Sequence, residues 1–169
     1  METRITRGWR QYTVNSIRKF VKSMELLRGN ALFNYKQELV MVNDALREIR
    51  YLGLYFTAAW CPPCQIFLPL LKSVYERTRE AELKFEIIYI PSDYDEDNML
   101  ECFTTKHGPW YAIPAGRVAE ALRKKYHVIS LPTLIILDKN GQVMTKNGRI
   151  EIEEHSDKVL SLWFPEFVE

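Results

Sequence analysis

Apolar residues along this chain recur at two spacings, three-to-four residues and two residues, and the switches between them outline an α/β domain. From Val14, the positions Ile17, Phe20, Val21, Met24 and Leu27 recur in helical steps with Arg18, Lys19 and Lys22 between them, which predicts an amphipathic basic helix. Gly29-Asn30 ends that pattern. A short strand is expected at Ala31–Phe33, a polar turn over 34–38, and a helix over Val42–Ile49 with Ala45, Leu46 and Ile49 on one side. Tyr51–Phe56 is apolar on both faces, as a central strand covered on both sides would be. Ile66, Phe67, Leu70, Leu71, Val74 and Tyr75 then form a stripe on a helix of about four turns, in which Pro69 should produce a kink. Phe85–Ile90 is the next strand. The acidic run over 92–97 reads as a solvated loop that starts a helix over 98–106 through the helix dipole. Residues 108–114 read as a loop carrying Trp110, and Val118, Leu122 and Tyr126 mark another helix. A buried strand over 130–137 leads through Asn140-Gly141, a hairpin signal, into a return strand over 142–145. Ser156 is expected to cap a last helix whose inner face is Val159, Leu160, Trp163 and Phe164.

Composition bounds what such a domain can do. With 169 residues, 47% hydrophobic and 27% charged, the chain can bury one substantial core. No apolar stretch is long enough to span a membrane. A net charge of +1 gives no bulk reason to expect a nucleic-acid partner. The charge is uneven, however: residues 1–28 sum to +5 and the remainder to −4. Residues 1–28 therefore read as a basic, helical N-terminal extension to a domain over 29–169. The extension could pack on the domain or a partner, lie on a membrane surface, or act as a mitochondrial targeting segment. Three cysteines do not suit a disulfide-stapled secreted domain, so a reducing, cytoplasmic setting is expected, with a nuclear one also open.

The candidate chemistry lies at Trp60-Cys61-Pro62-Pro63-Cys64, where strand gives way to helix. Two cysteines separated by two residues at a helix start form a redox pair, because the free N–H groups and partial positive charge of a helix N-terminus stabilise a thiolate. Stabilisation of up to ~2 kcal/mol would bring a thiol from ~8.5 to about 7. A zinc site is the competing reading. It needs four ligands, and Cys102, His107, His127 and His155 are scattered over different predicted elements. Cys102 reads as a small buried apolar residue, with a third redox thiol as the alternative, and the histidines as surface or helix-end residues.

These motifs together resemble a known family. Residues 55–64, 85–93, 109–114 and Leu131-Pro132 with the strand that follows are similar to the thioredoxin fold, and within it to the tryparedoxin and nucleoredoxin branch. His107-Gly-Pro-Trp110 and the single-domain length resemble the nucleoredoxin-like proteins. The resemblance covers about residues 29–165. It implies a thioredoxin-like α/β fold, a central mixed sheet flanked by helices, and a thiol–disulfide oxidoreductase that reduces protein disulfides without a bound cofactor. Its redox group would be the Cys61–Cys64 dithiol.

The same resemblance implies individual roles. Cys61 would attack the substrate disulfide and Cys64 would resolve the mixed disulfide. Trp60 and Trp110 would border the site, Pro62 and Pro63 would stiffen the pair, and Leu131-Pro132 would be a cis peptide facing the cysteines. Partners would be disulfide-containing proteins and an upstream thioredoxin- or glutathione-type reductant. A binding module with little turnover, acting in signalling or cell survival, is the alternative. Two departures bear on mechanism. Tyr55 stands where ordinary thioredoxins have a buried aspartate, and a phenol of pKa near 10 is no base at pH 7. Gln65 stands where this branch commonly has arginine.

Overall fold

The computed structural model describes residues 25–167. The expected basic helix falls mainly on residues 1–24, outside the described residues. Its last apolar position, Leu27, lies in a turn and is buried among Leu32, Val42 and Leu46.

The elements in chain order are β1 (Ala31–Phe33), β2 (Leu39–Met41), α1 (Val42–Ala45), β3 (Tyr51–Thr57), α2 (Pro62–Glu80), β4 (Phe85–Pro91), α3 (Glu96–Lys106), β5 (Tyr111–Ala112), α4 (Arg117–Tyr126), β6 (Thr133–Leu137), β7 (Val143–Thr145), α5 (Gly148–His155) and α6 (Val159–Trp163). A turn of 3₁₀ helix, Ser156–Lys158, joins the last two. The strands form one mixed sheet in the order β2-β1-β5-β4-β3-β6-β7. At its centre β3 runs parallel to β4 and antiparallel to β6, with Tyr55 opposite Tyr89 on one side and Leu134 on the other.

The period-two geometry of β3 sends its side chains to two separate cores. Leu52, Leu54 and Phe56 join Leu122, Tyr126, Ile135 and Leu137 on the α4 side. Tyr55 joins Phe67, Leu71, Tyr75, Leu134 and Phe164 on the side of α2, α5 and α6. Gly53 sits close against that second face: a Cβ there would lie 3.1 Å from the Phe85 ring. Both faces of β3 are thus covered, as the unbroken apolar run implies.

Several expectations need correction. The buried stripe of α2 is Cys64, Phe67, Leu68, Leu71, Val74, Tyr75 and Thr78, whereas Ile66 is 77% exposed and Leu70 41%. Spacing alone fits either set, because neighbouring apolar positions at i and i+1 leave the centre of the stripe undetermined. The helix runs further than expected, from Pro62 to Glu80, with Pro69 inside it as the sequence implies. Leu39–Met41, between the expected turn over 34–38 and the expected helix, forms an edge strand, and the helix after it covers only Val42–Ala45. The 108–114 stretch contains a two-residue strand that pairs with β4. Ser156 is the C-cap of α5, at φ 53°, and not the N-cap of the last helix. The whole of α5 escaped the periodicity because it buries only Gly148 and Ile152.

Candidate active site

The chain leaves β3 at Thr57, turns through Ala58–Trp60, and enters α2 at its N-cap, Cys61. Two backbone features fix this entry. Cys61 N–H donates to the Ala58 carbonyl at 3.2 Å, and Ser92 N–H donates to the Thr57 carbonyl at 2.9 Å, tying the end of β3 to the chain leaving β4. Pro62 and Pro63 occupy the first two helical positions, where no intrahelical donor is lost.

Cys61 and Cys64 are joined by a disulfide, with Cα atoms 5.3 Å apart. The pair is not symmetric. The Cys64 backbone N–H points at the Cys61 sulfur at 3.3 Å, so Cys61 takes the place of a capping side chain and its sulfur accepts from the helix end. An anion is stabilised there more than at Cys64, which lies inside the first turn. Both cysteines are buried together with Ala58, and Leu131 packs on the three. The Leu131–Pro132 peptide is cis.

The two tryptophans differ sharply. Trp60 is 60% exposed beside Cys61, whereas Trp110, expected to border the site, is fully buried in the core. It stacks edge-on against Tyr75 and against His107, at ring-centroid separations of 5.2 and 5.8 Å. His107, expected as a surface or helix-end residue, is at a helix end, the C-cap of α3, but turned inward among the rings of Tyr55, Tyr89, Phe103 and Trp110. Burial, then the nearby Lys72 and Lys106, lower its pKa to about 3, so the ring is neutral at pH 7. Tyr55 and Tyr89, distant in sequence, complete the ring of aromatics that Phe103 and Trp110 begin, and are why spacing missed it.

Tyr55 is completely buried, and burial pushes its pKa up to about 12. Thr57 lies near its hydroxyl, but without the geometry of a hydrogen bond. The phenol is thus no base at neutral pH. Gln65 Nε2 donates to the Ala59 carbonyl at 3.4 Å and points at the Cys102 sulfur at 3.9 Å. Cys102 is buried, and burial pushes its thiol pKa up.

Sequence reasoning passed over Asp93, which it assigned to the solvated acidic loop. Its Oδ1 accepts the Ala59 N–H at 2.8 Å, and its Oδ2 accepts the Tyr89 hydroxyl at 2.7 Å. The only signal available was an acid just past a predicted strand end. Asp93 lines a cleft of about 540 Å³ beside Trp60, together with Ala59, Tyr94, Glu101, Cys102 and Lys106. Among the described residues, no three or more His, Cys, Asp or Glu side chains are grouped to hold a metal ion. No described helix is long and apolar enough to cross a membrane.

Comparison with known proteins matches residues 48–143 to a family described as thioredoxin-like. Nucleoredoxin from Danio rerio is 34% identical over 143 residues, which is 83% of this chain and 33% of that protein. Nucleoredoxin from Bos taurus is 37% identical over the same length, 83% of this chain and 32% of its own. The chain therefore spans about a third of the curated relatives it matches. Among solved structures, tryparedoxin I from Leishmania major superposes with a TM-score of 0.70 at 34% identity, covering 86% of this chain and 97% of its own. A thioredoxin from Wuchereria bancrofti gives a TM-score of 0.71 at 34% identity, covering 83% and 98%.

Proposed function

This chain belongs to the thioredoxin-like family of thiol–disulfide oxidoreductases, in its tryparedoxin and nucleoredoxin branch, and from that premise we propose that it reduces disulfides in protein substrates through Cys61 and Cys64. The observation that carries this reading is the asymmetry of the pair. Cys61, at the helix end with an N–H aimed at its sulfur, is the thiol that ionises and attacks.

The chemistry balances without a bound cofactor. The Cys61 thiolate attacks one sulfur of the substrate disulfide, forming a Cys61–substrate bond and expelling the other substrate sulfur as a thiolate. Cys64 then loses its proton and attacks the Cys61 sulfur, expelling the second substrate thiolate. The substrate gains two electrons and two protons, and the protein is left with the Cys61–Cys64 disulfide. An upstream dithiol or thiol of thioredoxin or glutathione type returns it to the dithiol. Tyr55 stays protonated at physiological pH, so the Cys64 proton leaves by another route.

The exposed faces beside the pair suit a protein substrate. Trp60, adjacent to Cys61 in the chain, and Ile66, further along α2, stand in solvent, and Leu131 packs on the cysteines. Such apolar surface around a reactive sulfur favours docking of an extended or unfolded segment. A reducing compartment, cytoplasmic or nuclear, follows from a mechanism that needs the dithiol. The test is reduction of insulin disulfides with dithiothreitol as electron source. Turnover above the reagent alone, lost in Cys61→Ser, is expected. Activity no greater than the reagent alone would overturn the reductase reading and leave a binding module.

A further inference from the structure

We propose that Asp93 is a positioning residue for the cysteine pair: its carboxylate anchors the loop that delivers Cys61 and sets, through its charge, how readily that thiol ionises. This role rests on the reading of Cys61 as the attacking thiol.

Both oxygens of Asp93 are engaged, and by different parts of the molecule. Oδ1 takes the Ala59 N–H of the loop into α2, and Oδ2 takes the Tyr89 hydroxyl of β4. Tyr89 is buried, and burial together with its bond to Asp93 raises its pKa, so it is a permanent donor. The clamp therefore runs from a fixed point in the core, through one carboxylate, to a backbone amide two residues before Cys61. The loop has few other ties, chiefly the Cys61 N–H to Ala58 carbonyl turn and the Gln65 side chain on the Ala59 carbonyl.

The same geometry brings a negative charge near the sulfur. Two residues of chain span at most about 7 Å, so with a 2.8 Å hydrogen bond the carboxylate oxygen lies within about 10 Å of the Cys61 backbone nitrogen, near the Debye length at 0.1 M salt. Other charges face Asp93 from the neighbouring elements. Asp95, Glu101 and Lys106 line the same cleft, and Arg123 of α4 reaches Ser92 Oγ at 3.5 Å. Gln65, uncharged, adds no cation from α2. An anion at position 93 works against a thiolate at Cys61, opposing the helix end that favours it.

Two substitutions separate the clamp from the charge. Asp93→Asn removes the charge but keeps an oxygen for the Ala59 N–H, and the Tyr89 hydroxyl can turn to accept from the amide. Tyr89→Phe keeps the charge and breaks the clamp at its fixed end. The readout is the rate of Cys61 alkylation by iodoacetamide against pH, in reduced protein carrying Cys102→Ser, with thermal melting as a check on folding. Asp93→Asn should shift the midpoint down by about half a unit, making alkylation about threefold faster below it. Tyr89→Phe should leave the midpoint in place and lower kcat/KM for insulin reduction. Asp93→Ala should do both. An unchanged profile in either Asp93 variant overturns the proposal, and so does a loss of melting temperature with no shift in profile. The alkylation readout needs no disulfide substrate. A shifted profile in a protein that never reduces insulin would therefore sink the reductase reading and keep the role of Asp93.

Discussion

Strand β4 has a carboxyl group near each end, and the two are placed in opposite circumstances. Glu86, its second residue, is buried, accepting from the Tyr75 hydroxyl at 3.1 Å and from the Ile87 N–H at 2.9 Å. Burial pushes its pKa up to about 7, the two donors and Arg79 pulling the other way. Asp93, two residues past the strand, sits half-buried at the rim of the cleft, its bonds reaching into the reactive loop. The far end of the sheet is closed by the C-terminal segment, with Val159, Leu160, Trp163 and Phe164 all buried. Glu86, held beside Tyr75, Arg79 and Tyr111, is about half protonated at pH 7, whereas Asp93 holds the reactive loop through its two oxygens. In α/β sheets the carboxyl ends of parallel strands are where loops diverge and sites form, and the contrast along this strand shows the electrostatic side of that rule.

The contrast can be broken most severely at the reactive end. Cys61→Ser should lower insulin reduction by about a thousandfold or more, since nothing else in the site can form the mixed disulfide. Cys64→Ser should also stop turnover, yet accumulate mixed disulfides with substrate proteins on non-reducing gels. Equal trapping by both variants would remove the assigned roles.

At the closed end, Phe164→Ala should cost about 3–5 kcal/mol by urea unfolding, the usual range for emptying a buried aromatic site. Cys61 alkylation of the folded fraction should be unchanged. A change in thiol reactivity would show that the two ends are coupled.

Glu86→Gln isolates the raised acid. In the folded state Glu86 holds its proton up to about pH 7, whereas unfolded it releases it near 4.5, so the native state binds the extra proton between those values. Wild-type stability should therefore fall as pH rises from about 4.5 to 7, by up to about 3 kcal/mol, and then level off. The Gln variant should lack that fall, matching wild type near pH 5 and exceeding it at pH 8. Parallel pH–stability curves for the two proteins would refute the assignment.

The smallest effect is expected at Tyr55. Tyr55→Phe removes a buried hydroxyl without a proper partner and should stabilise by about 1 kcal/mol in chemical denaturation. Because the phenol keeps its proton until about pH 12, the pH profile of disulfide reduction from 6 to 9 should not move. A moved profile would restore the phenol to the proton route.

Local chemistry was the most legible part of this chain. The cysteine pair, the two prolines at a helix start and the doubly covered run of β3 each follow from a handful of adjacent residues. What stayed hidden depends on neighbours far apart in sequence. His107 gives no local sign that Tyr55 and Tyr89 join Phe103 and Trp110 around it, and Trp110 gives none that it faces the core. Asp93 looks like its acidic neighbours until Tyr89 and Ala59 are brought to it. The helix Gly148–His155 was invisible because Ile152 is its only large buried side chain. On α2, Ile66 and Leu70 fit the apolar stripe by spacing yet face solvent, and the two possible stripes differ by a single position of rotation.

The turn ahead of β1 fixes how the chain enters the sheet. Leu27 is lodged in the core beside Leu32 and Val42, the Asn30 amide group holds the Leu26 carbonyl at 3.0 Å, and Val42 N–H holds the Asn30 carbonyl at 3.1 Å. No slack tether lies between Leu26 and the first strand. A pull applied at Leu26 would be carried as mechanical load straight into β1 and α1.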